Sequence, residues 1–437
     1  MSASVFTVGI YTLGCKVNQY ESEAIAEAFE KKGFSVISPS RVCDLYVINT
    51  CTVTAESDRK ARQFIRRAVH KNPNAFVLVT GCMAQVAPQE IAAIEGVDFV
   101  CGNANKLSVV DAACRLVADG KKPSMPEIAV SSLEDAGFEP MEISRFERTR
   151  AYIKIEDGCE SHCTYCTIPA ARGRIRSKAP FDVLREVEAL TRGGCREIVL
   201  TGIETGSYGK DLDGWTLADL LCRIDAIPGV GRVRLGSLDP SIICPAFVER
   251  IKGLRSLAPH FHLSMQSGSD RILAAMKRKY NTEIARRGIA LLREALPDVQ
   301  FTTDMIVGFP GETEQDFAET IDFAREIGFL MIHVFPYSQR KGTVAATMPG
   351  QIPQQVKHER VAILQQVADE ARARVLDGLI GKKEQILVEG VSAGVAKGHT
   401  ASFVEVEVPV DAAEPASFLE VRLTSHDGTQ AYAELLG

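Results

Sequence analysis

The pattern of apolar and polar positions divides the chain into stretches of different rhythm. Up to about residue 120, short apolar runs alternate with segments whose apolar residues recur at helical spacing. This alternation predicts a parallel sheet with helices on both faces, the doubly wound α/β arrangement. The strand-like runs are VFTVGIYTL, DLYVINT, AFVLVTG and VDFV, and the helical runs include ESEAIAEAFEKKG and SDRKARQFIRRAVHK. We therefore expect residues 1–120 to form one doubly wound α/β domain.

The rest of the chain predicts a linker and two further domains. Residues 121–148 carry prolines and mixed charge without the earlier rhythm, which indicates a linker. From residue 149 to 377 six longer βα units follow, and a curved partial (β/α)6 barrel accommodates them. Their strand-like runs are AYIKIED, EIVLTGI, GRVRLGSL, HFHLSM, QFTTDMIVGF and FLMIHVFP. Residues 378–437 hold strand-like runs without a helix, so we expect a small all-β domain there.

Composition narrows the class of protein. No apolar run reaches the roughly 18–20 residues of a membrane span, and no basic residue precedes the first apolar stretch. We expect a cytoplasmic protein without a membrane partner, in which the twelve cysteines do not form a disulfide scaffold. The net charge of −6 argues against a surface basic throughout, although local basic patches remain compatible with it.

Three cysteines at C-x3-C-x2-C spacing follow the first strand of the predicted barrel. Cys159, Cys163 and Cys166 should lie on the loop at the carboxyl end of that strand, where barrel enzymes place their chemistry. A structural zinc site needs a fourth ligand, and His162 is poorly suited because its neighbour Cys163 is already a ligand. Three thiolates instead suit a four-iron cluster with one iron left free. Zinc remains the alternative.

This loop resembles the signature of the radical S-adenosylmethionine (SAM) enzymes, with the aromatic Tyr165 before the last cysteine. In that superfamily the free iron binds the amino and carboxylate groups of SAM, and an electron from the cluster cleaves SAM to a 5′-deoxyadenosyl radical. The resemblance extends to the fragments TGIETGSYG, RLGSLDP, HLSMQSGSDRIL and MIVGFPGETEQDF. It implies SAM-binding roles for Tyr165, Glu204, Ser237, Ser264, Gln266 and Gly308.

A second set of cysteines follows strands of the first domain. Cys15, Cys51 and Cys82 each come directly after a strand-like run, and the carboxyl ends of parallel strands share one edge. These three thiols can therefore form one site. Cys101 also ends a strand-like run, and small apolar residues filling the rim of the sheet are the competing interpretation.

The surrounding residues resemble the signatures of the methylthiotransferases, a family of radical SAM enzymes. The matching fragments are LGCKVNQYESE, VINTCTVTAESDRKARQ and TGCMAQ. The resemblance implies a second [4Fe-4S] cluster on Cys15, Cys51 and Cys82, without Cys101, and a C-terminal TRAM-like RNA-binding domain. It also implies that one SAM donates a methyl group and a second SAM supplies the radical.

The fragment NTCTVTAESDRKARQ resembles the branch of this family that modifies tRNA at carbon-2 of N6-threonylcarbamoyladenosine, next to the anticodon. The branches acting on isopentenyladenosine in tRNA and on an aspartate of a ribosomal protein are the alternatives among enzymes. A non-catalytic iron-sulfur or zinc RNA-binding protein is the alternative outside them. The resemblance further implies an electron donor such as flavodoxin or ferredoxin, and we expect a monomer that binds the anticodon stem-loop.

Two basic segments suit an RNA backbone. Arg59, Arg62 and Arg66 share one face of a predicted helix, and Arg174 and Arg176 belong to a basic run after the cysteine loop. A solvated helix face and a salt-bridged loop would give the same pattern. The C-terminal β domain is acidic in places and poor in aromatic residues, so its composition does not favour base stacking.

Overall fold

A six-stranded parallel sheet organises the first domain in the computed structural model, which describes residues 5–146 and 148–436. Its strands are β1 Thr7–Thr12, β2 Ser35–Ile37, β3 Leu45–Thr50, β4 Phe76–Gly81, β5 Phe99–Cys101 and β6 Glu127–Ala129. They lie in the order β2-β1-β3-β4-β5-β6. The central strands β3 and β4 are buried along their whole length and rich in Val, Ile and Leu, as strands covered on both faces require.

Helices cover both faces of this sheet, which confirms the doubly wound prediction. They are α1 Lys16–Lys31, α2 Ala55–Lys71, α3 Cys82–Val86, α4 Pro88–Ala92 and α5 Ser108–Asp119. Helices α1 and α5 share one apolar core with the sheet, and α2, α3 and α4 share the other. Strand β6 lies within the segment expected to be a linker and pairs with β5. The short runs of β2 and β6 carried too little periodicity to be predicted.

A partial barrel of parallel strands forms the second domain, as expected. Its strands are β7 Ala151–Lys154, β10 Glu197–Thr201, β11 Arg232–Leu235, β12 Ser237–Leu238, β13 His260–Gln266, β14 Gln300–Val307 and β15 Met331–Pro336. The run GRVRLGSL, predicted as one strand, is interrupted at Gly236. The wall therefore consists of two sheets, in the orders β11-β10-β7 and β12-β13-β14-β15. Strands β7 and β15 are its free edges.

Helices and a small ribbon surround this barrel. The ribbon pairs β8 Glu156–Asp157 with β9 Arg176–Ser177 in antiparallel fashion and thereby brackets the cysteine loop. The helices are α6 Ile168–Arg172, α7 Pro180–Arg192, α8 Leu217–Asp225, α9 Pro245–Ile251, α10 Asp270–Ala275, α11 Thr282–Ala295, α12 Glu314–Ile327 and α13 Gln354–Asp377. Helix α12 begins with a capping box between Thr313 and Asp316 and ends at the left-handed Gly328.

The third domain is the predicted all-β unit, a closed five-stranded barrel. Its strands are β16 Lys383–Ser392, β17 Val395–Thr400, β18 Glu405–Pro409, β19 Phe418–His426 and β20 Ala431–Leu435. It docks on the amino-terminal ends of the central barrel strands. Arg232 donates to the Gln385 carbonyl at 2.9 Å, and Arg234 donates to the Ala401 carbonyl at 3.0 Å. This domain therefore covers the end of the barrel opposite the cysteine loop.

Helix α1 joins the first domain to the second. It packs against the edge strand β7, and Tyr20 and Ala24 belong to the core of the barrel domain. Because its other side packs on the first sheet, α1 is buried on two sides instead of one. In residues 5–146 and 148–436, no helix has the length and hydropathy needed to cross a membrane.

Candidate functional site: two cysteine trios at one chamber

A cavity of about 310 Å³ opens at the carboxyl ends of the central barrel strands. Cys159, Cys163 and Cys166 line it on one side. Val53 and Thr54, which follow Cys51 in the first domain, line it on the other. The segment that follows Cys51 and the barrel cysteine loop therefore line one chamber.

The cysteine loop is shaped by a tight approach of two chain segments at Gly158. This residue has φ +88°, and a Cβ there would lie 1.8 Å from the Arg174 carbonyl oxygen. Only glycine lets the chain pass so close to the ribbon strand that follows the loop. The loop thus leaves β8 in a direction fixed by backbone packing.

Hydrogen bonds converge on the three sulfurs of this loop. The Ser161 amide donates to Cys159 Sγ at 3.4 Å, and the Ile168 amide donates to Cys166 Sγ at 3.4 Å. Donors of this kind stabilise thiolates and tune the potential of an iron-sulfur cluster. Burial raises the pKa of Cys159 to about 12 and that of Cys166 to about 11, so binding of a metal cluster would displace protons.

Arg278 is a site residue that the sequence analysis missed. Its guanidinium donates to Cys163 Sγ at 3.2 Å and to Asp239 at 3.1 Å, and it lies 4.9 Å from the Tyr280 ring centroid. A cation beside a thiolate stabilises negative charge on the sulfur. The run KRKY gave no signal, because it follows α10 and lies 115 positions from Cys163 along the chain.

Five of the six residues expected to bind SAM line the chamber, namely Tyr165, Glu204, Ser237, Ser264 and Gln266. The hydroxyls of Ser237 and Ser264 lie 2.6 Å apart. Gly308 lies outside the lining: its φ is +72°, and a Cβ there would meet Lys357 of α13 at 2.4 Å. Its glycine identity therefore follows from helix packing in this structure.

Gln266 is held in an unusual conformation at the end of β13. Its φ is +63°, and the register between β13 and β14 shifts between Leu263 and Gln266. Bulges and left-handed non-glycine residues cost free energy and are found near functional sites, where they redirect a side chain. Here the irregularity turns Gln266 toward the chamber.

A buried carboxyl supports the loop that carries Glu204. Glu204 Oε2 accepts from the Cys159 thiol and the Ser161 hydroxyl, both at 3.2 Å. The Glu204 amide in turn donates to Glu156 Oε2 at 2.8 Å. Burial raises the pKa of Glu156 well above its ordinary value, which favours the neutral carboxyl.

We expect Glu156→Gln to retain SAM cleavage within about threefold, because glutamine keeps the neutral acceptor for the Glu204 amide. Glu156→Leu should lower it about tenfold or more. The measurement is 5′-deoxyadenosine formation under reducing conditions. Equal losses of SAM cleavage in both variants would contradict this role of Glu156.

The pKa of Glu156 is raised in the folded protein. Its contribution to stability is therefore complete below pH 4.5 and is lost as pH rises toward the folded pKa.

The second trio forms where β1, β3 and β4 end. Cys15 precedes α1, and Cys51 and Cys82 are buried. Burial raises the pKa of Cys51 to about 11, with Cys82 and then Cys15 adding to the rise. At Gly14, with φ +97°, a Cβ would lie 2.8 Å from Cys51 Sγ, so glycine permits the close approach of these segments.

Cys101 has a different environment. Its buried thiol donates to Thr80 Oγ1 at 3.3 Å beneath the sheet rim. Among the described residues, no three His, Cys, Asp or Glu side chains are close enough to hold a single metal ion. A four-iron cluster takes its thiolates on different irons, so its ligands lie farther apart than those of one ion.

Buried ion pairs connect the segments of the first and second domains that carry the two trios. Glu21 of α1 contacts Arg172 at 2.7 Å, Lys154 at 2.9 Å and also Lys106. Asp157 contacts Arg172 at 3.1 Å, Lys154 at 3.3 Å and Arg176 at 3.5 Å. Four cations thus surround two carboxylates next to Cys82, whose charge acts on Arg172. The excess of positive charge suits an anionic cluster at the second trio.

A second contact between the domains lies at the chamber rim. Arg340, which follows β15, donates to Thr52 Oγ1 at 2.7 Å and to Asp58 at 2.6 Å. The Ala55 amide donates to the Ser338 hydroxyl at 3.2 Å. These bonds fix the segment after Cys51 over the barrel.

Below the chamber, the barrel wall carries polar, titratable side chains. His262, Asp304 and His333 lie one layer beneath Ser264, Ile306 and Phe335, which line the chamber. Asp304 belongs to both regions, because it lines the chamber and pairs with His262 at 3.3 Å. We call this lower region, bounded by His262, Asp304 and His333, the lumen.

The basic segments differ in their exposure. Arg59, Arg66 and Arg174 are exposed, and Arg62 is half-buried near Glu90 at 3.6 Å. Arg59 pairs with Glu56 at 2.6 Å on the solvated face of α2. Arg176 was expected to contact the RNA backbone, but it is buried against Asp157.

Comparison with known proteins agrees with this architecture. The family model of the Radical SAM superfamily matches residues 153–324, and that of the uncharacterized protein family UPF0004 matches residues 7–102. The chain is 43% identical to threonylcarbamoyladenosine tRNA methylthiotransferase MtaB of Bacillus subtilis, over 83% of this chain and 80% of the relative. The protein of the same name from Thermotoga maritima is 41% identical, over 92% of this chain and 91% of the relative.

More distant relatives also match most of the chain. The tRNA-2-methylthio-N(6)-dimethylallyladenosine synthase of Moorella thermoacetica is 34% identical over 96% of both chains. Among solved structures, the radical SAM methyltransferase TsrM of Kitasatospora setae matches with a TM-score of 0.55 and 17% identity. The match covers 78% of this chain and 77% of the TsrM chain. At that identity the match shows the fold alone.

A partial barrel with a three-cysteine loop after its first strand, facing a second cysteine trio on a doubly wound domain, defines a radical SAM enzyme with an auxiliary site. The chain belongs to the radical SAM methylthiotransferase family, on the strength of relatives more than 40% identical over most of its length.

Proposed function

We propose that this enzyme transfers a methylthio group to carbon-2 of N6-threonylcarbamoyladenosine next to the anticodon of tRNA. The relatives at 37–43% identity carry the name of this activity. The structural observation that supports it is the shared chamber, where residues after Cys51 and the barrel cysteines line one space. A substrate carbon placed there lies between the two trios.

In this proposal each trio holds one [4Fe-4S] cluster and leaves one iron free. Cys159, Cys163 and Cys166 hold the barrel cluster, and Cys15, Cys51 and Cys82 hold the auxiliary cluster. When bound, the clusters would supply the electron and hold the sulfur to be transferred, and two SAM molecules would supply the 5′-deoxyadenosyl radical and the methyl group. We leave Cys101 out of the proposed set, because its thiol donates to Thr80 beneath the rim.

The side chains of the chamber position SAM and limit side reactions. Glu204 accepts hydrogen bonds and is suited to the ammonium of SAM, while Ser237, Ser264 and Gln266 are suited to its carboxylate and ribose. Tyr165, Ile168 and Ile306 provide apolar surface that excludes water from a reactive radical. Gly308, packed against Lys357, supports this wall from outside.

Three exposed arginines and the half-buried Arg62 are suited to the RNA backbone. We propose that Arg59, Arg62, Arg66 and Arg174 contact phosphates of the anticodon stem-loop, and that the TRAM-like domain adds contacts to shape and backbone. We propose no RNA contact for Arg176, because it pairs with Asp157. We further propose a monomer in the cytoplasm, where its tRNA substrate is found, reduced by a flavodoxin or ferredoxin.

The test of the function is a comparison of tRNA nucleosides by mass spectrometry between a deletion strain and the same strain complemented with the gene. We expect the methylthio derivative of threonylcarbamoyladenosine to be absent from the deletion strain and restored by complementation. Its persistence would contradict the proposal. Loss of the methylthio isopentenyl nucleoside instead would favour that branch, and unchanged nucleosides would favour the ribosomal-protein branch.

Iron content tests the cofactor assignment separately. Anaerobic reconstitution should give about eight irons per chain from two four-iron clusters. A protein with all six cysteines that saturates at about four irons would contradict the two-cluster arrangement. A non-catalytic binding protein would form no 5′-deoxyadenosine from SAM.

A further inference from the structure

Asp304 is a chamber carboxylate that the proposed reaction does not yet use. Three carboxylates line the chamber, and Glu204 and Asp239 are the other two. Glu204 accepts hydrogen bonds from the cysteine loop. Asp239 accepts from Arg278 at 3.1 Å and from the Ser241 hydroxyl at 2.6 Å. Both of these carboxylates therefore have donors from the protein, in contrast to one oxygen of Asp304.

The two oxygens of Asp304 differ in their surroundings. Oδ2 lies 3.3 Å from His262 Nε2, and 32% of the Asp304 side chain is accessible. Within residues 5–146 and 148–436, no N–H or O–H group donates to Oδ1. Because the cavity limits access of water, this oxygen favours a ligand that brings an N–H or O–H group.

A chain of polar contacts holds Asp304 from behind. The Thr302 hydroxyl lies 2.9 Å from His262 Nδ1 and 2.9 Å from His260 Nε2. A hydroxyl can donate to one imidazole while it accepts from the other, so this contact orients both rings. His260 also stacks on Phe403 of the third domain, with the ring centroids 4.6 Å apart. Oδ2 is therefore held through His262, and Oδ1 is left for a ligand in the chamber.

We propose that Asp304 accepts a hydrogen bond from the N6–H group of the substrate adenine and thereby directs carbon-2 toward the two trios. The inference rests on the proposed function, because it needs an N6-substituted adenine in the chamber. A single substituent leaves one hydrogen on N6. When that substituent lies on the N1 side of the ring, the N6–H bond points opposite to the C2–H bond.

The depth of Asp304 in the barrel suits this orientation. It precedes Ile306 by two residues on β14, so it lies one layer farther from the rim than Ile306. The cysteine loop and the segment after Cys51 line the chamber at that rim. An adenine bound through N6–H at Asp304 therefore presents carbon-2 to the end of the chamber where the cysteines lie.

A carboxylate at this depth also selects among bases. Adenines with one N6 substituent keep the donor that Asp304 needs, whether the substituent is polar or apolar. Guanine has a carbonyl oxygen at the equivalent position, which would leave Oδ1 without a donor and place two acceptors together. Asp304 thus distinguishes adenine from guanine, and mono- from disubstituted N6.

The experiment compares two anticodon stem-loop RNAs, one with threonylcarbamoyladenosine and one with its N6-methyl derivative, which lacks the N6–H group. We expect the methyl group to lower kcat/KM of the unsubstituted enzyme about 10- to 100-fold. Asp304→Leu should be reduced on the N6–H RNA by about the same factor and discriminate the two RNAs less than about threefold. Asp304→Asn keeps an acceptor oxygen and should stay within about fivefold on the N6–H RNA.

The leucine variant separates hydrogen bonding from size. Leucine is at least as large as aspartate, so exclusion of the methyl group by size alone would survive in Asp304→Leu and would overturn the inference. Formation of 5′-deoxyadenosine without RNA should be unchanged in this variant. Its loss, with both clusters present by iron content, would mean that Asp304 binds SAM and not the substrate.

Asp298→Leu is the matched control, because Asp298 precedes the same strand and pairs with Lys382 at the surface. It should behave as the unsubstituted enzyme on both RNAs. If the unsubstituted enzyme modifies both RNAs equally well, the inference is wrong while the proposed function stands. If the unsubstituted, fully clustered enzyme modifies neither RNA, the proposed function fails, and the inference with it.

Discussion

Cys163→Ala should abolish both 5′-deoxyadenosine formation and methylthio transfer, to below roughly one-thousandth of the rate with all cysteines present. Cys51→Ala should abolish methylthio transfer to the same extent while 5′-deoxyadenosine still forms. The difference follows from the chamber, because the barrel trio lies beside the predicted SAM residues, whereas Val53 and Thr54, which follow Cys51, line the chamber from the first domain. The measurement is 5′-deoxyadenosine and modified nucleoside quantified from one reaction.

Cys101→Ala is the matched control for this pair. Cys101 is buried in the same domain as Cys51 and bonded to Thr80, so its loss should cost about 1 kcal/mol of stability and no iron. The two trio variants should each retain about four irons per chain. If Cys101→Ala lost four irons and Cys51→Ala lost none, the auxiliary site would have been assigned to the wrong cysteine.

How much of this site is visible in the sequence depends on how local its signals are. The C-x3-C-x2-C loop is contiguous, and Cys15, Cys51 and Cys82 each follow a strongly apolar strand, so sheet topology alone brings them to one rim. The family resemblance supplied Glu204 and Ser237. It also supplied the choice of Cys15, Cys51 and Cys82 over Cys101, because topology alone places Cys101 at the end of a strand as well.

Other contacts were hidden because the fold creates them between distant segments. Arg278 reaches Cys163 across 115 positions, and Glu21 reaches Arg172 across 151. Arg176 looked like part of an exposed basic run, but it belongs to the ribbon β8–β9 and is buried against Asp157. No periodicity in one sequence distinguishes a solvated arginine from one that is buried against a carboxylate.

The buried network at Glu21 should make the largest single contribution to stability among these contacts. We expect Glu21→Gln to lower the free energy of unfolding by about 3–5 kcal/mol, because it strands Lys106, Lys154 and Arg172 without their shared carboxylate. Their side chains are at most 2% exposed, so water cannot replace it. Chemical denaturation of the metal-free protein measures the loss. Glu56→Gln, which breaks an exposed pair with Arg59, should leave the free energy of unfolding nearly unchanged.

The pH dependence identifies the charge of Glu21 as the cause. Burial by itself would raise the pKa of Glu21, but Arg172, Lys106 and Lys154 outweigh it and hold that pKa well below 4.5. A carboxyl with a lowered folded pKa contributes stability that is complete above its unfolded pKa and is lost as pH falls through the folded value. The difference between the unsubstituted protein and Glu21→Gln should therefore be full at pH 7 and shrink as pH falls below about 4.5. A difference that stays constant down to acid pH would mean that glutamine disturbs packing, and that the buried ion pairs do not hold α1 against the barrel.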